Sequence, residues 1–455
     1  MASKTINKLP LLVNLLIFIL MITVAFLSET HAFNLSLIRI DSIDSPLFPK
    51  SLTKEERHKK LSRLTLTRAR LLRTMAATAS DNPNALRPPV YGVFSNFYVT
   101  QMRIGSQNYS PYLMLDSGCD DTWVQCEGCT NCFQIKGGSF KYRSSSTFSY
   151  LPCEHPLCVP KQCQNGHCTY AINYVKRTSI SGVVSTDTFS FRTDGSVRAE
   201  PYKSFPNIAF GCGFDNRNVS FGDNAGPDNA IAGIFGLGPG QRSILWQLES
   251  QTNGLFSYCL PSWTTPYSTT AYLRFGNDAK AVMDSLRGVQ RVRMVQGMSR
   301  YSITLIDISV NGKRLHLNPS LFRGKFAIDS GAPYTALLKD AYTIVRNEMV
   351  EYFQRRYSWR PLKDTGTYYD LCYNKFYRSG NYSLPTMSFQ LDGATLFLKP
   401  ENLFEEFSFG FCLIMLPIGN AGPGLLGAFQ QSNFRFLYDV KALTLSFAPQ
   451  NCQNN

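Results

Sequence analysis

Leu115-Asp116-Ser117-Gly118 and Ile328-Asp329-Ser330-Gly331 decide how this chain is read, because the same pattern closes an apolar stretch twice. A single Asp-Ser-Gly is an ordinary turn: Asp and Ser side chains bond their own backbone, and Gly permits the bend. Two copies in equivalent places of a repeat carry more. Phe97 to Gly105 alternates like a strand before the first copy, and Tyr301 to Val310 does so before the second. Each half then returns with two apolar residues and a glycine, Ile234-Phe235-Gly236 and Leu425-Leu426-Gly427. A duplicated strand, loop and return strand predicts two similar lobes, with single-copy chemistry at the pseudo-twofold axis between them. Facing lobes would bring Asp116 and Asp329 close together. Two such carboxylates cannot both ionise, so one acts as general base toward a water while the other, still protonated, acts as general acid. The small Ser and the Gly beside each Asp, Gly118 and Gly331, let backbone N–H groups approach the carboxylates and hold them. The device needs neither a metal nor a cofactor.

Composition agrees with a β-rich globular body of two domains: 455 residues, 44% hydrophobic, 13% aromatic and only 17% charged, with 32 Gly and 24 Pro. The net charge of +14 raises nucleic-acid binding as a function, but about +6 of it falls within residues 33–88, about +1 before them and about +7 after. No basic stripe with interleaved aromatics appears, so no nucleic-acid partner is expected.

The N-terminus reads as an export signal over residues 1–32: Lys4 and Lys8, an apolar run from Leu9 to Leu27, and Thr30-His31-Ala32 as a small-residue cleavage site. The same run would serve as a membrane anchor if left uncleaved, but Asn14 and the polar Ser28-Glu29-Thr30 favour cleavage. No membrane insertion is expected once the signal is removed. Thirteen cysteines in an exported chain read as a disulfide framework with one thiol left over. Asn-x-Ser sequons stand at Asn34, Asn108, Asn218 and Asn381. Residues 33–88 form a basic helical stretch with Lys54, Arg57, Lys59, Lys60, Arg63, Arg68, Arg70 and Arg73, followed by a polar linker from Ser80 to Pro89. It reads either as a solvated helix or as a removable propeptide. The division expected is signal 1–32, propeptide 33–88, N-terminal lobe 89–275 and C-terminal lobe 276–455.

Asp116-Ser-Gly-Cys-Asp-Asp-Thr-Trp123-Val-Gln-Cys126, the pair Asp329-Ser-Gly331, and Leu426-Gly-Ala-Phe-Gln-Gln-Ser-Asn-Phe434 leading to Tyr438-Asp439 resemble plant pepsin-like aspartic proteases of the nepenthesin type. The resemblance covers nearly the whole chain. It implies an all-β, bilobal fold with an interlobe cleft, and a secreted, monomeric endopeptidase acting on peptides or proteins at acid pH, outside the cell or in the vacuole. It implies substrate contacts at Gly118, Gly331, Trp123, Thr335 and Tyr174, the last on a hairpin flap. It also implies six disulfides: Cys126–Cys129, Cys132–Cys212, Cys153–Cys168, Cys158–Cys163, Cys259–Cys452 and Cys372–Cys412.

Three positions depart from the family pattern. Cys119 and Ala332 stand where a Ser or Thr after each triad normally donates to the outer carboxylate oxygen, and a thiol is a weak donor and a methyl none. Val175-Lys176-Arg177 replaces the usual Gly-Asp-Gly turn after the flap tyrosine. The rival readings are weaker. Cys126-x-x-Cys129-x-x-Cys132 could hold zinc, but export favours disulfides. Gly236-Leu-Gly-Pro-Gly240 before a helix-like Ser243–Glu249 resembles a phosphate loop without the full fingerprint. Cys119 as a nucleophile would need a histidine, and only His155, His167 and His316 remain, without a supporting motif. The remaining alternative is a protease fold without turnover, working as a binding or inhibitor protein.

Overall fold

A computed structural model describes residues 34–39, 52–77, 98–173, 179–192, 202–219, 226, 229–262, 271–322, 325–374 and 382–452. The expected signal segment, Tyr174 with the turn after it, and Asn381 lie outside the described residues.

The repeat expected from the two triads is present as a strand-for-strand correspondence. In the first half Tyr112–Asp116 runs parallel to the return strand Ile231–Gly236, with Gly236 opposite Asp116. That return strand is antiparallel to Trp123–Gln125, which in turn runs parallel to Tyr202–Arg217. In the second half Phe326–Ile328 runs parallel to Gly424–Leu426, with Ile328 opposite Leu426. The return strand is antiparallel to Thr335–Leu338 through Ala336 and Leu425, and Thr335–Leu338 runs parallel to Met415–Ile418. These strands are buried on both faces, which is why Ile231–Gly236 and Thr335–Leu338 read as continuous small and apolar runs rather than alternating ones.

An antiparallel sheet joins the halves, in the order Gln290–Arg293, Thr444–Pro449, Phe434–Asp439, Leu255–Cys259, Ala271–Phe275 and Asn34–Arg39. The last of these comes from the leading basic segment. It pairs with Ala271–Phe275 on one side and, through Ile38 and Val99, with Tyr98–Gln101 on the other. Phe256, Tyr258, Tyr301 and Tyr438 pack on this sheet, with the rings of Phe256 and Tyr438 stacked at 4.4 Å.

Three elements differ from the sequence reading. The strand expected over Phe97–Gly105 is broken at Met102 into Tyr98–Gln101 and Arg103–Ile104, the second pairing with Ser179–Arg192. The strand expected over Tyr301–Val310 is broken at Thr304 into Ser302–Ile303 and Leu305–Val310, the first pairing with Phe326–Ile328 and the second with Met387–Leu391. A helix at Lys339–Tyr357 was not anticipated; Val345, Met349 and Phe353, one turn apart, bury its inner face. The cross-links also correct the expected pairing. The bonds are Cys126–Cys212, Cys129–Cys132, Cys153–Cys163 and Cys158–Cys168, beside Cys259–Cys452 and Cys372–Cys412 as expected. The first correction follows from register: Tyr202–Arg217 runs alongside Trp123–Gln125 with Cys212 opposite Val124, which puts the Cys126 and Cys212 Cα atoms 5.5 Å apart. All three cysteines of the zinc reading are thereby consumed in disulfides. Asn108 and Asn218 are both exposed.

Candidate active site

Asp116 ends the strand Tyr112–Asp116, and Asp329 follows directly on Phe326–Ile328, so the parallel return strands aim both carboxyls at one point between the lobes. The triads lock onto each other. Ser117 N–H donates to Ser330 Oγ at 3.1 Å, Ser330 N–H donates to Ser117 Oγ at 3.0 Å, and the two hydroxyls lie 3.2 Å apart. Each Asp also accepts from the glycine two residues on: Gly118 N–H to Asp116 Oδ1 at 2.8 Å and Gly331 N–H to Asp329 Oδ1 at 2.9 Å. The glycines serve close approach. A methyl on Gly118 would lie 3.1 Å from Asp329 Oδ2, and one on Gly331 would lie 2.7 Å from Asp116 Oδ1. Each carboxylate thus reaches across to the other lobe's triad. Behind the triads Tyr258 donates to Gln431 Oε1 at 2.6 Å and meets the Tyr438 hydroxyl at 2.7 Å, a buried polar chain built from the late motif.

The departures from the family pattern have structural consequences. Cys119 is the free cysteine and is buried; its Sγ faces the Asp121 carbonyl at 3.4 Å. Burial, followed by the nearby Asp116, Asp121 and Asp120 carboxyls, pushes its thiol well up, so it stays a thiol. Asp116 Oδ2 is buried without a hydrogen-bond partner among the described residues, as loss of the hydroxyl after the triad predicts. Ala332 is fully buried in an alanine-rich cluster with Ala69, Ala327, Ala336 and Leu425.

The space between the carboxylates is filled by Arg68, from the helix Lys54–Ala77 of the basic segment. Its Nε donates to Asp329 Oδ2 at 2.5 Å, its Nη1 to the Gly331 carbonyl at 2.8 Å, and its Nη2 to Asp116 Oδ1. The helix arrives there by burying one face. His58, Leu61, Ser62, Thr65, Arg68 and Ala69 repeat at helical spacing, and all are buried. Leu61 packs among Tyr334, Tyr369, Phe407 and Phe429, and His58 Nδ1 lies 3.0 Å from the Tyr334 hydroxyl and 3.2 Å from that of Tyr369. Tyr334 N–H donates to Thr65 Oγ1 at 3.1 Å. Glu55 accepts from Ser408, and Lys54 pairs with Glu405 at the helix start. Among the described residues the docked face is therefore apolar and neutral polar apart from the Arg68 guanidinium at the dyad; Lys59 and Arg63 stay exposed.

A second guanidinium stands beside the first. Arg300 Nη1 donates to the Gly118 carbonyl at 3.0 Å and lies 3.8 Å from Asp329 Oδ2. Burial pushes Asp329 above the ordinary carboxylate range; Arg68 is the largest opposing influence, Asp116 adds to the rise, and Arg300 opposes it.

The other expected site residues take different places. Trp123 is fully buried in the core of the first lobe with Val99, Met114 and Tyr170, its ring edge-on to Phe133 at 6.4 Å. Thr335 is fully buried: its N–H donates to Gln430 Oε1 at 2.9 Å and its hydroxyl accepts from Gly427 N–H at 3.2 Å, so it fixes the second return turn. Gly240 in the supposed phosphate loop gives its N–H to Asp120 Oδ1 at 2.7 Å, which closes the turn internally. Neither Arg68 nor Arg300 stood out in the sequence as a site residue.

A bilobal β fold that delivers one Asp-Ser-Gly from each lobe to a shared clamp defines the class: an aspartic endopeptidase. Residues 98–277 match the family described as Xylanase inhibitor N-terminal, and residues 300–449 match Xylanase inhibitor C-terminal. Aspartic proteinase nepenthesin-2 of Nepenthes gracilis is 31% identical over 425 residues, 91% of this chain and 90% of its own. Aspartyl protease AED1 of Arabidopsis thaliana is 29% identical, covering 84% of this chain and 78% of its own. Among solved structures, conglutin gamma from lupine seeds superposes with a TM-score of 0.61 at 20% identity, over 78% of this chain and 91% of that one. Basic 7S globulin from soybean gives 0.61 at 17%, over 79% and 95%. These two share the fold. The chain belongs to the plant pepsin-like aspartic protease family of the nepenthesin type.

Proposed function

We propose that Asp116 and Asp329 are the catalytic pair of an acid-acting, exported endopeptidase, and that the helix Lys54–Ala77 of the segment 33–88 holds the pair inactive until Arg68 is withdrawn from it. The observation carrying this reading is the Arg68 guanidinium, which bonds both carboxylates at once. While it is there, no water can occupy the point between them.

With the helix gone, two buried carboxyls remain side by side and share one proton; that proton belongs to the pair rather than to either residue. A water held between them loses a proton to the ionised carboxylate as its oxygen attacks the peptide carbonyl carbon. The carbonyl oxygen takes the proton of the other carboxyl. The resulting gem-diol collapses, the C–N bond breaks, and a proton passes to the leaving nitrogen. The Ser117–Ser330 clamp keeps the carboxyls fixed through these steps.

Acid favours release. Burial already raises Asp329, so lowering the pH protonates it earlier than an exposed carboxyl and removes the charge that holds Arg68. The test is acid incubation of the full-length chain with a mixed peptide pool, beside Asp116→Asn and Asp329→Asn. Wild type should cleave with pepstatin sensitivity, and each variant should lose at least about a thousandfold in rate while remaining folded. Hydrolysis retained by either variant would refute the shared-proton pair. Peptide capture without hydrolysis by acid-treated wild type would favour the binding-protein alternative, for which the unpartnered Asp116 Oδ2 is the supporting observation.

A further inference from the structure

We propose that Arg300 is a specificity-determining residue that selects peptides carrying a carboxylate side chain next to the scissile bond. This rests on the reading of the Asp116–Asp329 cleft as a peptide site.

Arg300 lies just ahead of the strand Ser302–Ile303 and belongs to the body of the protein, whereas Arg68 belongs to the docked helix. The two guanidiniums border one volume. A methyl on Gly118 would lie 2.6 Å from Arg300 Nη1 and 2.7 Å from Arg68 Nη2. Arg300 is 4% exposed with the helix in place. Withdrawal of Arg68 therefore leaves a fixed cation at the wall of the space a substrate must enter. Its Nη1 bonds the Gly118 carbonyl at 3.0 Å, while Asp329 Oδ2, at 3.8 Å, is within ion-pair reach but beyond direct hydrogen-bonding range. A guanidinium can hold a carbonyl and a carboxylate together because its donors form a planar fork.

In the closed form Asp116 and Asp329 face Arg68 and Arg300, and Asp120 is the next carboxyl along. Once Arg68 leaves and the dyad takes up its working proton, two positive charges have become one and two negative charges have become one. The remaining negative charge is spread over a pair that must hold the attacking water. A side-chain carboxylate arriving beside the scissile bond meets a cation anchored on the Gly118 carbonyl, and charge-assisted pairs of this kind discriminate against a neutral isostere. A lysine at the same place meets a like charge.

The test uses the full-length chain after acid treatment and three matched peptides with Glu, Gln or Lys flanking one scissile bond, placed on either side in turn. Wild type should prefer Glu over Gln in kcat/KM by about tenfold at pH 5. That ratio should fall toward one near pH 3, because the substrate carboxyl protonates there. Arg300→Gln should erase the ratio, and Arg300→Glu should turn it toward Lys. A slowdown shared equally by all peptides, with the ratio intact in Arg300→Gln, would make Arg300 merely structural and overturn the inference. Binding of the same labelled peptides, read by fluorescence anisotropy, separates the two claims. If no peptide is cut but Glu still binds better than Gln and Arg300→Gln abolishes that difference, the hydrolytic reading falls and this one stands. Equal binding of Glu and Gln overturns it.

Discussion

At the scale of single residues, the dyad is built normally from the inside and incompletely from the outside. The inner oxygens receive Gly118 and Gly331 N–H groups, while Asp116 Oδ2 has no described donor and Cys119 beside it offers only a thiol turned toward the Asp121 carbonyl. A hydroxyl at position 119 should supply the missing bond. Hydrogen bonding to the ionised form lowers a carboxyl's pKa, so Cys119→Ser should move the acid limb of the pH–rate profile down by about one unit and raise the maximal rate several-fold. Superimposable profiles would show that the substitution does not tune the pair. The matching change at Ala332 is less clean, because a threonine there must enter the alanine cluster shared with Ala69 of the docked helix. Asp120 gives a second residue-level prediction. Burial raises its carboxyl to about 6, against the Gly240 N–H bond and with Asp121 adding to the rise. A carboxyl raised in the folded state binds its proton more tightly there, so it costs nothing at pH below its unfolded value near 4. The cost then grows as pH climbs to about 6 and is constant above. Asp120→Asn, which can still accept from Gly240, should therefore stabilise the chain by about 2–3 kcal/mol at pH 7 and by little at pH 4, measured by thermal melts at both pH values. An equal change at both would rule out titration of Asp120.

At the scale of elements, the helix Lys54–Ala77 couples the leading segment to the dyad, and its character explains what the sequence does and does not disclose. The carboxylates were legible because each sits at the same place in a repeat of strand, turn and return, a pattern that survives even where the residues between diverge. Arg68 was not, being one of eight basic residues in a run whose buried members His58, Ser62 and Thr65 are polar and so hide the helical stripe. Arg300 has no pattern at all; only the crossing of Gly118 over the start of Ser302–Ile303 gives it a role. The disulfide ladder failed for a related reason. Cys163 and Cys168 are cross-strand partners that bond elsewhere, to Cys153 and Cys158, each at a separation of 10 residues, and spacing alone admits several such choices. The helix also carries its own test. Arg68→Ala leaves Leu61, His58 and Thr65 to hold it, but two adjacent buried carboxylates then lose their shared cation, so the pair must take up a proton. The pH at which the full-length chain becomes active should rise by about one unit or more, read from activation half-times across pH 3–7. An unchanged threshold would mean that release is set by the apolar contacts rather than by the Arg68 ion pairs.

At the scale of the whole molecule, the leading segment is held in two places with different physics, and that predicts a staged maturation. The helix is fastened to the second half by its buried Leu61, His58 and Thr65 face, and to both triads by a guanidinium that acid loosens. The strand Asn34–Arg39 is fastened to the first half and the joining sheet by backbone pairing with Ala271–Phe275 and Tyr98–Gln101, with Leu35 and Leu37 fully buried beneath it. Backbone hydrogen bonds carry no titratable charge, so acid has no direct hold on the strand. Pulling it out would leave two facing rows of unpaired N–H and C=O groups in the middle of a sheet, a cost that persists until another segment fills the slot. A cut in residues 80–95, where the linker lies, should therefore free Arg68 from the dyad without releasing the fragment. We expect activity to appear on acid treatment while the 33–88 fragment still co-elutes with the body on size-exclusion chromatography at low pH. The whole fragment should separate only in denaturant; a second cut between the strand and the helix should release the helix alone and leave the strand in its sheet. Leu35→Asp, which places a charge in that buried strand, should bring fragment release forward to the acid step itself. If wild type instead shed the whole fragment at the moment activity appeared, the strand would be governed by the same electrostatic lock as the helix, and the two-place fastening would have no kinetic meaning.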